Sequence, residues 1–311
     1  MSHKPYRAME LVIEEDYNAF VAKTKHVVIE GVPVRVGEPW SIRELGPPTE
    51  YRLEGSTVWS FPNRGDWATH TGDYRGNWSP YIPRNLILRY TKPGELLLDQ
   101  MTGSGTTLVE CKLLGRDGVG VDINPGAVIV ARDRLNFALP ATDTTEDAST
   151  PTIRTYVGDA RNLDLIEDDS VDLVATHPPY AGIVAYSRGV VEGDLSALSI
   201  DEYVSEMKAV AQESYRVLKP GRRCAILIGD TRRRLHYVPI SARVMEAFLD
   251  VGFALKEDIV KLQWHMKGTR ERWRGRLYDF YKIGHEHLYV FTKPSSKAEL
   301  SNLKYSRKWW P

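Results

Sequence analysis

Two cysteines in 311 residues leave no material for a disulfide framework. No histidine stands at ligand spacing from Cys111 or Cys224, so a zinc site is not expected either, and both thiols read as buried and inert. No run approaches the roughly 18 apolar residues that a membrane span needs. The opening MSHKPYRAMELVIEEDY lacks the apolar core of a secretory signal, which makes the cytoplasm the expected compartment and the membrane no partner. Net charge is also missing: 41 basic residues balance 41 acidic ones, which argues against wholesale coating of nucleic acid. No internal repeat is evident.

What is present is hydrophobic material enough for a core, 42% of the chain, and a clear alternation of short apolar strands with amphipathic helices from Leu86 onward. ELLLDQ, GVGVDI, TYVGDA, VDLVATH, CAILIGD and EHLYVFTK read as strands, an order that implies parallel βαβ units. Helices are expected over Thr106–Leu114, stopped by Gly115, and after the Asn124-Pro125 N-cap. Another is expected after the Ser199/Glu202 capping box, ending at Lys219-Pro220-Gly221. The polar stretch 140–152 reads as a surface loop and the tail after Pro294 as loose. The expected plan is an N-terminal extension over 1–55, a catalytic domain over 56–294 and a tail over 295–311.

Three acids stand at successive strand ends. GELLLDQMTGSGTT places Asp99 at the carboxyl end of a strand, followed by Gly103, Gly105 and a helix, which is where ligands sit in an open α/β sheet. No Gly-Lys-Ser/Thr follows, so this is not a phosphate-binding loop. GVGVDINP puts Asp122 at the end of the next strand, where a carboxylate can accept bonds from both hydroxyls of a ribose. Asp159, in Gly-Asp-Ala, ends the third and could hold an adenine amino group. Each acid alone is as readily a cap or a loop residue; the succession is what carries weight.

DQMTGSGTT, GVDIN, GDA and THPPY together resemble the amino-methyltransferases that modify adenine N6 or cytosine N4 in DNA, over roughly residues 60–292. The resemblance implies an α/β, Rossmann-like class I methyltransferase fold with a mostly parallel seven-stranded sheet and helices on both faces. It implies S-adenosyl-L-methionine as cofactor, with Asp99, Gly103 and Gly105 cradling its methionine half, Asp122 on its ribose and Asp159 near its adenine, and with Met101, Thr106, Thr107, Ile123 and Ala160 also among the cofactor-binding residues. GNWSPYIPRNLILRY looks like the family segment that closes over the methionine end. Gln100 and Met101 stand where Pro and Phe are common.

His177-Pro178-Pro179-Tyr180 is the expected catalytic motif. An exocyclic amino group is a poor nucleophile because its lone pair is delocalised into the ring, and hydrogen-bond acceptors that hold its two hydrogens make the nitrogen more tetrahedral. Two prolines fix the backbone so that the Pro178 carbonyl takes one hydrogen, and the side chain at the first position takes the other. Tyr180 can stack on a base extruded from the duplex. The family commonly has Asp, Asn or Ser at the first position. A neutral imidazole can replace them and an imidazolium cannot, so activity is expected to fall below about pH 6, near the ordinary histidine pKa. No Pro-Cys pair is present, which sets aside carbon-5 cytosine chemistry, and neither a metal nor a covalent intermediate is expected.

Recognition is expected from loops: residues 183–198, the turn 232–237 and the basic-aromatic stretch 263–281, with the first 55 residues a further candidate. Arg232, Arg233, Lys267, Arg270, Arg272, Arg274 and Arg276 are the expected contacts to double-stranded DNA. The expected function is site-specific DNA methylation with a flipped target base, either solitary or beside a cognate restriction endonuclease, in a prokaryotic or phage setting close to the nucleoid. Methylation of RNA or of a protein glutamine, and a non-catalytic nucleic-acid-binding protein of the same fold, are the alternatives.

Overall fold

The computed structural model describes residues 6–29, 31–74, 76–140, 150–181, 191–264 and 279–309. The amino-terminal part runs through β1 (Glu10–Val12), α1 (Glu14–Lys23), the hairpin β2 (His26–Ile29) and β3 (Val32–Arg35), β4 (Val58–Ser60) and α2 (Tyr81–Tyr90). The alternating part follows as β5 (Leu96–Asp99), α3 (Thr106–Leu114), β6 (Asp117–Asp122), α4 (Pro125–Leu135), β7 (Ile153–Val157), β8 (Val171–Thr176), α5 (Ile200–Val217) and β9 (Leu218–Ile228). A second hairpin, β10 (Thr231–Arg233) and β11 (His236–Val238), precedes α6 (Ile240–Val251), β12 (Ala254–Leu262), β13 (His285–Thr292) and α7 (Lys297–Asn302).

The main sheet has the order β1-β7-β6-β5-β8-β9-β13-β12-β4. From β7 to β9 the neighbours are parallel, whereas β13 runs antiparallel to both β9 and β12. Seven strands form the expected core, and three-residue strands at both edges, β1 on β7 and β4 on β12, raise the count to nine. Strands this short carry too little periodicity to be read from sequence. The central strands are buried on both faces, as their unbroken apolar runs require. Leu98 and Val174 pack with Tyr203, Met207 and Phe248 of α5 and α6, while their neighbours Leu97 and Leu173 pack with Ile82 and Leu86 of α2 on the other side.

The first residues are integrated with this sheet. Beyond β1, the hairpin residues Val27, Ile29 and Val34 and Tyr17 of α1 pack on Ala127–Val130 of α4, and Tyr17 donates to the Asp133 carboxylate at 2.6 Å. The tail after Pro294 is likewise held, contrary to the expectation: Leu255 N donates to the Ser306 carbonyl at 2.7 Å and Lys308 pairs with Asp250 at 3.0 Å. The third expected helix does end at Val217, but the chain enters β9 at once and carries Pro220 and Gly221 within that strand. Among the described residues no helix is long and apolar enough to cross a membrane.

Candidate active site

The carboxyl ends of β5, β6, β7 and β8 meet at one cleft of about 860 Å³. At the end of β5, Asp99 is buried and accepts from Thr107 Oγ1 at 2.5 Å, Thr176 Oγ1 at 3.0 Å and the Met101 amide at 3.3 Å. Burial pushes its carboxyl up to about 6, although these donors pull the other way. Asp99 therefore ties the glycine loop to β8. Gly105 takes a left-handed φ of +79°, and a Cβ there would lie 2.9 Å from Ala131 Cβ of α4, so only glycine allows the two helices this approach. Gln100, in the position the family commonly fills with Pro, hydrogen-bonds through its amide to Ser214 of α5 at 2.8 Å.

Asp122, at the end of β6, accepts from the Gly103 amide at 2.8 Å and the Asn124 amide at 2.9 Å. Burial raises its carboxyl to about 6 despite both bonds. Each oxygen keeps a lone pair for a further donor. Asp159 is more fully committed: Arg161 grips it with Nε at 2.8 Å and Nη2 at 2.6 Å, and also reaches Glu206 and the Gly193 carbonyl. Ile123 and Ala160 line the cleft beside these acids, as do Met101, Gly103 and Thr106. Gly105 and Thr107 do not line it; they shape the loop from behind, the first by packing and the second through Asp99.

The opposite wall comes from Tyr74, Gly76, Asn77 and Trp78, and a third side from Val191, Gly193, Asp194 and Leu195. The latter belong to the stretch 183–198 expected to contact DNA; Val191, Gly193, Asp194 and Leu195 wall the cleft, and 182–190 lie outside the described residues. The wall around Tyr74 is anchored by buried charge on the helices behind the loop. Glu110 of α3 accepts from Trp67 Nε1 at 2.7 Å and Arg84 Nη1 at 2.7 Å and bonds His70 Nε2 at 2.8 Å. Arg134 of α4 bonds Ser104 Oγ at 3.1 Å and pairs with Asp73. Sequence reading missed this network. Its signal is a glutamate and an arginine at positions where amphipathic helices turn inward.

His177 and Pro179 close the far end of the cleft. The imidazole is stacked on Trp78, centroids 5.9 Å apart and planes 17° from parallel. Its Nε2 lies 2.8 Å from the Tyr180 hydroxyl, which donates to Glu286 Oε1 at 2.8 Å; Lys261 Nζ lies 2.9 Å from the other Glu286 oxygen. Burial lowers the His177 pKa to about 4, with Glu286 opposing and Lys261 assisting. The acid limb expected near pH 6 is thereby corrected: the ring stays neutral about two pH units further down. Burial works to raise the Glu286 carboxyl, yet the Lys261 ammonium beside it holds it below the usual range. Pro178 is buried and absent from the cleft lining. One face of the Tyr180 ring is covered by Gly229, where a Cβ would stand 2.7 Å from the ring. Glu286, and the place of Lys261 beside the motif rather than in the basic run that begins with it, went unread because both sit on the last two strands, far in sequence from the motif; a lone acid at a buried position of a strand was the available signal.

The expected DNA contacts divide. Arg232 of β10 is spent inside the protein: it donates to the Leu235 carbonyl at 3.0 Å and the Tyr281 carbonyl at 2.7 Å, and its guanidinium lies over Phe280 at 4.5 Å. That removes it from the set of free phosphate contacts. Arg233 and Arg234 are exposed on the same hairpin. Lys267, Arg270, Arg272, Arg274 and Arg276 lie outside the described residues.

Parallel strands whose carboxyl ends carry three acids around a glycine loop, with an antiparallel final strand, define the class I, Rossmann-like methyltransferase fold. The DNA methylase family of N6/N4 type matches residues 16–133 and 171–310, and the chain belongs to that family. It is 32% identical over 121 residues to the type II methyltransferase M.MjaI of Methanocaldococcus jannaschii, covering 31% of this chain and 40% of that protein. A tRNA (guanine(10)-N2)-dimethyltransferase of Methanothermobacter thermautotrophicus is 35% identical over 117 residues, 37% of this chain and 31% of that one. The matched segments thus span less than half of these relatives. An S-adenosylmethionine-dependent methyltransferase of Methanosarcina mazei superposes with a TM-score of 0.44 at 15% identity, over 68% of this chain and 98% of that one.

The cofactor of the family is S-adenosylmethionine, and the cleft fits it. Thr102 Oγ1 and Thr106 Oγ1, in the cleft wall, are shut from water and have no hydrogen-bond partner among the described residues, as donors awaiting a ligand would be. Asp122 offers the acceptor lone pairs a ribose needs.

Proposed function

We propose that this protein is a DNA amino-methyltransferase acting on cytosine N4 or adenine N6. The observation that carries the reading is that His177 and Pro179 close the same cleft that Asp122 and the glycine loop open. When bound, S-adenosylmethionine supplies a methyl group on a sulfonium, an electrophile that needs no metal. Asp122 with Ile123 would hold its ribose, Thr102, Met101, Gly103 and Thr106 its methionine end, and Ala160 its adenine; Asp159 would act there through the loop that Arg161 ties to it. His177 would accept one of the two amino hydrogens; Pro178, expected to accept the other, is buried outside the cleft lining.

DNA is favoured by the hairpin beside the site. Its two-residue tip, Arg234 and Leu235, has φ of +48° and +71°, values that side-chain-bearing residues rarely adopt and that a hairpin normally gives to Asn or Gly. Such strain marks a tip kept for its side chains. An exposed leucine directly after three arginines suits a duplex whose stacking must be opened. The type II relatives favour a modification enzyme paired with a restriction endonuclease, working in the cytoplasm at the nucleoid. A second reading, an RNA amino group, is favoured by the likeness to the tRNA guanine-N2 enzyme.

The test is incubation with methyl-labelled S-adenosylmethionine and, in parallel, unmethylated DNA and unmodified tRNA, followed by nucleoside mass spectrometry. Label in N4-methylcytosine or N6-methyladenine is expected. Label confined to RNA would replace the reading.

A further inference from the structure

We propose that Glu286, acting through Tyr180, holds His177 in the Nε2-protonated tautomer, so that Nδ1 is the atom that accepts a hydrogen from the target amino group. This rests on the amino-methyltransferase reading and adds to it a positioning residue from the last strand of the sheet.

The argument is a proton inventory. Glu286 is buried, and its two oxygens face Lys261 Nζ at 2.9 Å and the Tyr180 hydroxyl at 2.8 Å. An ammonium beside it keeps the carboxyl ionised, and an ionised carboxyl only accepts. The hydroxyl therefore points its proton at Glu286 and turns a lone pair toward His177 Nε2, 2.8 Å away. Nε2 must then carry the hydrogen, and in a neutral ring Nδ1 does not. Nδ1 is shut from water and has no hydrogen-bond partner among the described residues. A buried acceptor left without a partner costs about 1–3 kcal/mol, and this one belongs to a ring in the wall of the cleft. Stacking on Trp78 fixes the plane of the ring, and the relay fixes which nitrogen is free. Without Glu286 the Tyr180 proton could turn to Nε2, leaving Nδ1 protonated and unable to accept. The histidine thus needs a partner that an aspartate, whose oxygens both accept, would not.

The experiment is ¹⁵N NMR of the full chain with labelled histidine at pH 7, the His177 signals being assigned by their loss in His177→Asn. The expected spectrum shows protonated Nε2 and bare Nδ1 in the wild type. In Tyr180→Phe, which leaves the Lys261–Glu286 pair intact, the two tautomers are expected to mix. In Glu286→Gln the preference is expected to reverse, with kcat falling ten- to a hundredfold while the Kd for S-adenosylmethionine stays within twofold. A wild-type ring protonated at Nδ1 would overturn the proposal, and so would an Nε2–H tautomer unchanged in both variants. The expected spectra without methyl transfer to any nucleic acid would count against the amino-methyltransferase reading and leave the tautomer assignment standing.

Discussion

The two ends of the cleft are built in different ways. At the cofactor end the acids sit at or just past the tips of strands and are held by nearby loop residues or by an adjacent strand: Asp122 by Gly103 and Asn124, Asp159 by Arg161, Asp99 by Met101, Thr107 and Thr176 of β8. At the substrate end His177 is held by Trp78, Tyr180 and, through Tyr180, by Glu286 and Lys261, and Glu286 lies 106 positions from Tyr180. The protonation behaviour differs in step. Burial raises Asp99 and Asp122 to about 6, and lowers His177 to about 4. Burial in all three disfavours the charged form, so the acids gain protons more readily and the base less so. One end should therefore lose its cofactor in mild acid while the other remains ready for chemistry.

The comparison is broken most severely by removing the acceptor. His177→Ala is expected to lower kcat by about 10²–10³-fold, the cost of one oriented hydrogen-bonding group, with the Kd for S-adenosylmethionine unchanged by calorimetry. Asp122→Ala should do the converse. Losing bonds to a charged acceptor costs about 1.5–3 kcal/mol, so Kd rises about ten- to a hundredfold while kcat at saturating cofactor holds. The pH dependence separates the ends without a mutation. A ligand that prefers the ionised Asp122 binds more weakly once that group protonates, so Kd should rise about tenfold per pH unit below 6. The kcat of the saturated enzyme should persist until the His177 ring charges near pH 4. An acid limb of kcat at pH 6 would show that His177 is not shielded as described.

Gly105→Ala tests the scaffold rather than the chemistry. A side chain at φ +79° and 2.9 Å from Ala131 is expected to cost about 1–3 kcal/mol, seen as a lower Tm together with a higher cofactor Kd. The smallest effects belong to the hairpin. Arg233→Ala should weaken DNA binding a few-fold and reduce the slope of log K against log salt by about 1. Arg232→Ala should leave that slope alone and instead free the segment at Tyr281, raising its protease sensitivity.

The difference between the ends also explains what could be read in advance. Asp99, Asp122 and the turn after Asn124 announce themselves locally, because strand end, glycine and cap are neighbours in sequence. So do the capping box at Ser199 and the helix it opens. Glu286 and Lys261 do not, because only the sheet order, with β12 beside β13, β13 beside β9 and β9 beside β8, brings them to His177; Trp78 was legible as part of the segment over the methionine end, but its stacking on His177 was not. Arg232 misleads for a related reason. Its charge suits a phosphate, but two carbonyls and an aromatic ring reach it first. Edge strands of three residues and the docking of the tail leave no periodic trace at all.

The most direct test of this division is a paired titration and turnover measurement on His177→Ala and Asp122→Ala, with methyl transfer to DNA followed at saturating S-adenosylmethionine. The account predicts that His177→Ala binds the cofactor as the wild type does and transfers almost nothing, whereas Asp122→Ala binds poorly and, once saturated, transfers at close to the wild-type rate. Equal loss of binding in both variants, or full turnover by His177→Ala, would contradict it.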